Sequence, residues 1–201
     1  MKTATKWLLG AAAILLLAAL LPIGSYNGLV TLDQAAQAQW GQVESVYQRR
    51  ADLVPNLVAT VKGAAAFETE TLLAVTEARA KVGTVSSVAL ENVTRDPEAF
   101  RRFEQAQGQL SSALSRLLVV SEKYPELKAT DAFRDLQVQL EGTENRVAVE
   151  RMRFNDAARA FNSKRDSFPT VLVAGLFGDR FREKPYFQAE QGAQAAPKVS
   201  F

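Results

Sequence analysis

The chain has 201 residues, with 24 Lys and Arg against 22 Asp and Glu and neither His nor Cys. The two missing residue types exclude thiol nucleophiles, iron–sulfur clusters, structural zinc and Ser-His-Asp chemistry together. Lys2 and Lys6 account for the whole positive excess, so the charges balance from Gly24 onward and no basic face for nucleic acid is expected. No cofactor, metal site or catalytic residue is expected either.

Between Lys6 and Ser25 the chain reads WLLGAAAILLLAALLPIG, helical by its Ala and Leu content and free of charge. Residues 7–23 would span about 26 Å as a helix, just enough for a hydrocarbon core of about 30 Å with local thinning. Residues 1–25 are therefore expected to form a membrane anchor, with Lys2, Lys6 and Trp7 at one interface and Pro22 and Gly24 loosening the far end. A cleaved secretory signal is the alternative, but Pro22-Ile23-Gly24 is a poor small-x-small junction. Lysines on the first flank, and no Lys or Arg between Pro22 and Gln48 on the other, leave the N-terminus cytoplasmic and the body exterior or periplasmic.

Residues 26–168 read as an all-α, up-and-down bundle of three to four long antiparallel helices. The first carries Trp40, Val43, Tyr47, Val54, Leu57 and Val61 as one apolar stripe. Pro55 is expected to turn or kink it, with Gly63 as the other turn candidate. A second helix with Leu72, Val75, Ala78 and Val82 is expected to stop at Gly83, and residues 83–95 to form the longest loop. Asp96-Pro97-Glu98 is a start signal for the third, whose stripe is Phe100, Phe103, Leu110, Leu114, Leu117 and Tyr124 and which Pro125 ends. Thr130-Asp131 is expected to cap the last helix, with Phe133, Leu136, Leu140, Val147, Phe154 and Phe161 on its stripe and Phe168-Pro169 as its stop.

These segments resemble the LemA family of membrane-anchored bacterial proteins. The matching stretches are YNGLV (Tyr26 to Val30), RRADLVPNLVATVKG (Arg49 to Gly63), SEKYPELKA (Ser121 to Ala129), LEGTENRVAVERMRFN (Leu140 to Asn155) and FPTVLVAGLFG (Phe168 to Gly178). The resemblance implies a transmembrane helix followed by a helical bundle, in a family whose molecular function is unsettled, and it supplies no catalytic residue. It also implies an exterior N-terminus and a cytoplasmic bundle, against the lysine asymmetry.

A polar stripe borders the apolar one on the last helix: Glu141, Glu144, Arg151, Asn155, Asn162 and Arg165. Around Pro55 the first helix offers Arg50, Asp52 and Asn56. An Arg50–Glu144 or Asp52–Arg151 pair, with Asn155 filling leftover bonds, would lock helix register. Solvated ion pairs are the plainer alternative, each contributing about 0–1 kcal/mol. A di-iron centre would need Glu-x-x-His, which is absent, and Glu141 with Glu144 sit side by side on one helix with no cleft between them. Tyr124 to Leu127 reads as a helix stop, with partner docking as its alternative.

Residues 169–187 read as an apolar lid over the bundle end, or as an interfacial segment with Phe177, Phe181, Tyr186 and Phe187 facing lipid or a partner. Residues 188–201 read as a disordered tail. The functional expectation is a membrane-anchored, non-enzymatic scaffold of the cell envelope. It would contact the bilayer through residues 7–23, bind an unidentified envelope or membrane protein, and have a route to homo-oligomers through the first helix or the 169–187 segment. The alternative is a carboxylate-dependent hydrolase or ligand-binding bundle centred on the polar stripe.

Overall fold

A computed structural model of the chain describes the backbone of residues 2–63, 68–89 and 93–188; the side chains of 2–6, 8–9, 11–21 and 86–89 are not described. Lys2, Lys6, most of the apolar run at 7–23 and the tail after Gln188 therefore have no described side chains. Among the described residues no helix is long and apolar enough to cross a membrane.

The described chain is all-helical: α1 Lys2–Lys62, α2 Thr69–Ala89, α3 Pro97–Ser121, α4 Pro125–Lys128, α5 Asp131–Asp166 and α6 Thr170–Leu176, followed by a 3-10 turn at Gly178–Phe181. Four of these are long. Helices α2 and α3 run antiparallel, with Glu68 beside Lys123 at one end and Lys81 beside Gln109 further along, and α1 and α5 run antiparallel, with Arg50 beside Glu144 and Leu29 in one cluster with Phe161.

Helix α1 is one element of 61 residues, about 90 Å at the usual rise. Its buried seam runs through Leu29, Asp33, Ala36, Trp40, Val43, Tyr47, Arg50, Val54, Leu57 and Val61, alternating four and three residues apart, with Ser25, Ala51 and Leu53 buried beside it. A strict seven-residue repeat of this kind keeps one seam against its partner with a left-handed supercoil. That partner is chiefly α5, which runs antiparallel and buries Phe133, Leu136, Leu140, Thr143, Val147, Phe154, Ala158 and Phe161.

The chain does not turn back at Pro55, and α1 continues through Pro22 and Gly24 as well. Proline at 55 cannot donate to the carbonyl of Ala51, the acceptor four residues earlier. That carbonyl instead accepts from Arg79 Nε of α2 at 3.0 Å, so the orphaned group is satisfied and the helix continues to Lys62. The chain turns beyond Lys62, at Gly63.

The second helix also passes its expected stop. Gly83 lies inside α2, which extends to Ala89, because Val82 and Val85 on either side of it pack into the core and outweigh about 1 kcal/mol of glycine cost. The expected long loop therefore does not begin at Gly83. Helix α3 starts as its signal reads: Asp96 Oδ1 accepts from the Glu98 amide at 2.8 Å and Pro97 opens the helix. The two backbone N–H groups at the cap, from Glu98 and Ala99, hold the Asp96 carboxyl below its ordinary range. Thr130 occupies the cap position of α5, but its hydroxyl donates to the Leu127 carbonyl and makes no cap bond.

The core runs the length of the bundle in three clusters. Leu57, Val61, Leu72, Leu117 and Phe133 mark one end. Trp40, Phe100, Phe103 and Phe154 form an aromatic centre. Leu29, Phe161, Val173 and Phe181 close the end nearest the apolar run.

Arg79→Met should destabilise the full chain by about 0.5–1.5 kcal/mol, the cost of losing the hydrogen bond to a partly buried carbonyl. In the Pro55→Ala background, where the backbone amide restored at position 55 serves the Ala51 carbonyl, the same change should be nearly neutral in urea unfolding. Equal costs in both backgrounds would refute the role given to Arg79.

Candidate functional site

Arg50 lies on the core seam of α1 and is only 1 % exposed. Its Nη1 donates to Glu144 Oε1 of α5 and to Ser111 Oγ of α3, both at 2.6 Å. Its Nη2 donates to the Gln107 carbonyl at 3.2 Å and to Gln107 Oε1 at 2.6 Å. The guanidinium also sits 4.9 Å from the Tyr47 ring centroid. One cation therefore ties α1 to α3 and α5 at one level. Burial pushes the Tyr47 hydroxyl above its ordinary pKa and does the same to the Glu44 carboxyl, which accepts from Trp40.

A cleft of about 260 Å³ opens beside this arginine, lined by Tyr47, Glu104, Gln107, Ser111, Glu144 and Arg151 among others. Arg151 does not meet Asp52. It bonds Glu104 at 3.1 Å and the Gln188 carbonyl at 2.9 Å, while Asp52 is exposed and accepts from Gln48. Those two positions lie on faces of α1 and α5 that the heptad seam turns apart. Asn56 is exposed too, with its carbonyl accepting from Thr60, and Glu141 is exposed and bonds Gln137.

The lower half of the polar stripe serves a different purpose. After the 3-10 turn the chain runs extended from Arg182 to Gln188 along α5 as a strap. Asn155 Nδ2 donates to the Phe187 carbonyl at 3.0 Å and its Oδ1 accepts from the Phe187 amide at 2.9 Å. Asn162 repeats the motif seven residues on, donating to the Lys184 carbonyl and accepting from the Lys184 amide, both at 2.9 Å. Arg165 Nε donates to the Phe181 carbonyl at 2.8 Å. Two asparagines and an arginine thus pair a strand-like backbone that has no sheet to join.

The four aromatics read as facing lipid or a partner divide between the core and the surface. Phe181 and Phe187 are buried, Phe187 stacking into the aromatic centre 4.7 Å from Phe100, and Tyr186 is half-buried with its hydroxyl accepting from Asn162. Only Phe177 of the four remains substantially exposed.

The strap also carries Lys184, whose side chain is fully buried and whose Nζ donates to Asp33 Oδ1 at 2.5 Å. Asp33 Oδ2 accepts from Arg95 and from Gln37, each at 2.9 Å. Burial pushes the Lys184 ammonium below its ordinary pKa, with Asp33 opposing the shift. Asp33 was legible as an acid on the apolar seam, four residues after Leu29 and three before Ala36, yet sequence reasoning passed over it. Lys184 lies in extended chain, where no helical period marks a buried position. Among the described residues no group of three acidic side chains could hold a metal ion.

A model described as the LemA family matches residues 39–201. The chain belongs to the LemA family. It is similar to Magnetosome protein MamQ 2 of Paramagnetospirillum magneticum, 29 % identical over 190 residues, covering 87 % of this chain and 68 % of that protein. It is similar to Magnetosome protein MamQ of Magnetospirillum gryphiswaldense, 29 % identical over 179 residues, with 80 % and 65 % covered. Protein LemA of Metamycoplasma hominis is 24 % identical over 152 residues, with 76 % and 64 % covered. YNGLV, at the head of the buried seam of α1, falls before the residues matched to this LemA-family model, and the strap falls within them.

Two substitutions separate the roles in this site. Glu144→Ala leaves Arg50 buried without its counter-charge and should cost about 2–4 kcal/mol, discounted for the half-exposed carboxylate; Arg50→Met removes the buried cation and should cost about 1–2 kcal/mol. The reverse order in denaturant titrations would mean that Arg50 does not act as a buried charge. Asn162→Ala should speed amide exchange at Lys184 by about tenfold or more, the equivalent of about 1.4 kcal/mol, without changing α2 or α3. Unchanged strap protection would show that the asparagine does not hold it.

Proposed function

We propose that this LemA-family chain is a membrane-tethered, non-enzymatic scaffold of the bacterial cell envelope, anchored through residues 7–23. The observation that carries the reading is how the polar stripe is used. Arg50, Glu144, Arg151, Asn155, Asn162 and Arg165 are each committed to another part of the same chain, which leaves no free acid and base facing each other among them. A rigid helical rod rising from an apolar helix suits positioning a partner at a distance from a bilayer. None of the relatives' names states a reaction, and two name the magnetosome.

The lysine asymmetry supports a cytoplasmic N-terminus with the bundle exterior or periplasmic; the family resemblance supports the opposite. A ligand-binding reading has one observation in its favour, since the cleft beside Arg50 adjoins a buried Nε that lacks a hydrogen-bond partner. The hydrolase reading has less, because Glu144 is held by Arg50 and Ser111.

Crosslinking in intact membranes should recover a defined protein partner of the full chain, and recovery of nothing above background counts against a scaffold. A reporter fused after Phe201 should signal from the exterior or periplasm. A cytoplasmic signal would overturn the lysine-based orientation.

A further inference from the structure

The exposed apolar surface is unevenly distributed. Leu73 of α2 and Val119 of α3 are isolated exposed residues, and Val138, Val149 and Met152 are spread along α5, with only Val149 and Met152 one turn apart. By contrast Phe168, Val171, Leu172, Leu176 and Phe177 are all exposed within one short stretch, Phe168 by 81 %, Leu172 by 66 % and Leu176 by 80 %. Leu172 and Leu176, four residues apart, form an outward line on α6, and the exposed Phe168 lies just before the helix. The opposite side of α6 is already occupied, with Thr170, Val173 and Ala174 buried against α1 and α5. The outward line is thus a second apolar face, and single scattered apolar residues need no explanation while a contiguous patch does.

Its position on the rod identifies what covers it. Tyr26 of α1 contacts the Phe177 ring at 5.0 Å and the Phe181 ring at 5.4 Å, so α6 lies beside α1 at the level of Tyr26. Tyr26 is three residues, about 4.5 Å, beyond Ile23, the last residue of the apolar run, and Ile23 itself is exposed. A headgroup layer is about 5–8 Å deep on each side of the hydrocarbon core. A run of about 26 Å is shorter than that core of about 30 Å, which draws the near end of the bundle against the bilayer. The polar surroundings also fit a headgroup layer. Arg180 stacks over Tyr26 at 5.3 Å, and Lys164 packs its aliphatic stem beside Gly28, each presenting a cation at this level.

We propose that α6 is a foot that lies in the membrane interface beside the anchor, with Phe168, Leu172 and Leu176 in the acyl boundary and Arg180 and Lys164 among the headgroups. This rests on the anchor reading above. The strap fixes the foot to the bundle: Arg165 holds the Phe181 carbonyl and Asn162 holds Lys184, so α6 cannot pivot independently of α5. One transmembrane helix leaves a bundle free to tilt and rotate about its axis. A second contact rigidly joined to the first removes that freedom and sets which face of the rod points away from the membrane.

The chain contains no cysteine, so single cysteines report cleanly. Leu172→Cys, Leu176→Cys, Leu16→Cys in the apolar run and Val138→Cys toward the far end of α5 would each be labelled with an environment-sensitive fluorophore. The labelled full-length chain would be reconstituted into vesicles of phosphatidylcholine with phosphatidylglycerol, with or without spin-labelled lipid. The expected result is blue-shifted emission at 16, 172 and 176, most of it lost to the spin-labelled lipid, and unshifted, unquenched emission at 138. Quenching at 16 with none at 172 and 176 overturns the foot and leaves the anchor standing. Absence of quenching at all three overturns both. Ready disulfide formation between copies at Leu176→Cys, without lipid quenching, would assign the patch to a second copy and also overturn the foot.

Discussion

Taking a carboxylate or a guanidinium out of water costs several kcal/mol unless partners of opposite charge and good geometry replace the lost hydration. Helix α1 places two such groups, Asp33 and Arg50, on a seam where the flanking seam positions are buried, and its own residues supply no counter-charge to either, Gln37 giving Asp33 only a neutral hydrogen bond. Each must be answered from elsewhere in the chain. Arg50 is answered by Gln107 and Ser111 of α3 and Glu144 of α5; Asp33 is answered by Arg95, just before α3, and by Lys184 of the strap. A shift of α5 by one turn, about 5.4 Å, would strand Arg50, so the charge selects one register where an apolar seam alone would tolerate several.

The same logic joins the two ends of the fold. The strap is extended backbone outside any sheet, and its amides and carbonyls would be costly to bury unpaired. Asn155 and Asn162, one heptad apart on α5, supply donor and acceptor together at the two positions where the strap's backbone is most enclosed. Phe187 and Phe181 then enter two different core clusters. Folding of the strap therefore depends on a formed α1–α5 seam, and the seam's own charge at Asp33 depends on the strap.

Under the scaffold reading proposed above, these dependencies supply a stiff body, and the proposed foot sets its orientation at one end. The groups with chemical potential hold the architecture together, and the surface that remains unanswered is apolar and lies where the apolar run of α1 ends. A tethered spacer needs this division: rigidity along its length and a defined attitude at its base.

The all-α class, the four apolar stripes and the start at Asp96 were legible in the residues, because helical period and capping are local properties that repeat along the chain; the LemA family was legible only through the resemblance of particular stretches such as YNGLV and SEKYPELKA. The polar stripe of α5 was legible as a stripe, but its partners were not. Arg151 faces Glu104, and Asn155 and Asn162 face backbone that is more than twenty residues away and lacks any period of its own. Pro55 reads locally as a break; the helix passes through it because Arg79, on a neighbouring helix, supplies the missing donor. Gly83 reads as a stop for the same local reason and is overridden by the burial of Val82 and Val85. Periodicity reports which face of a helix is buried. Which charge meets which, and whether a breaker breaks, depends on groups distant in sequence, and those were decided only when the helices packed.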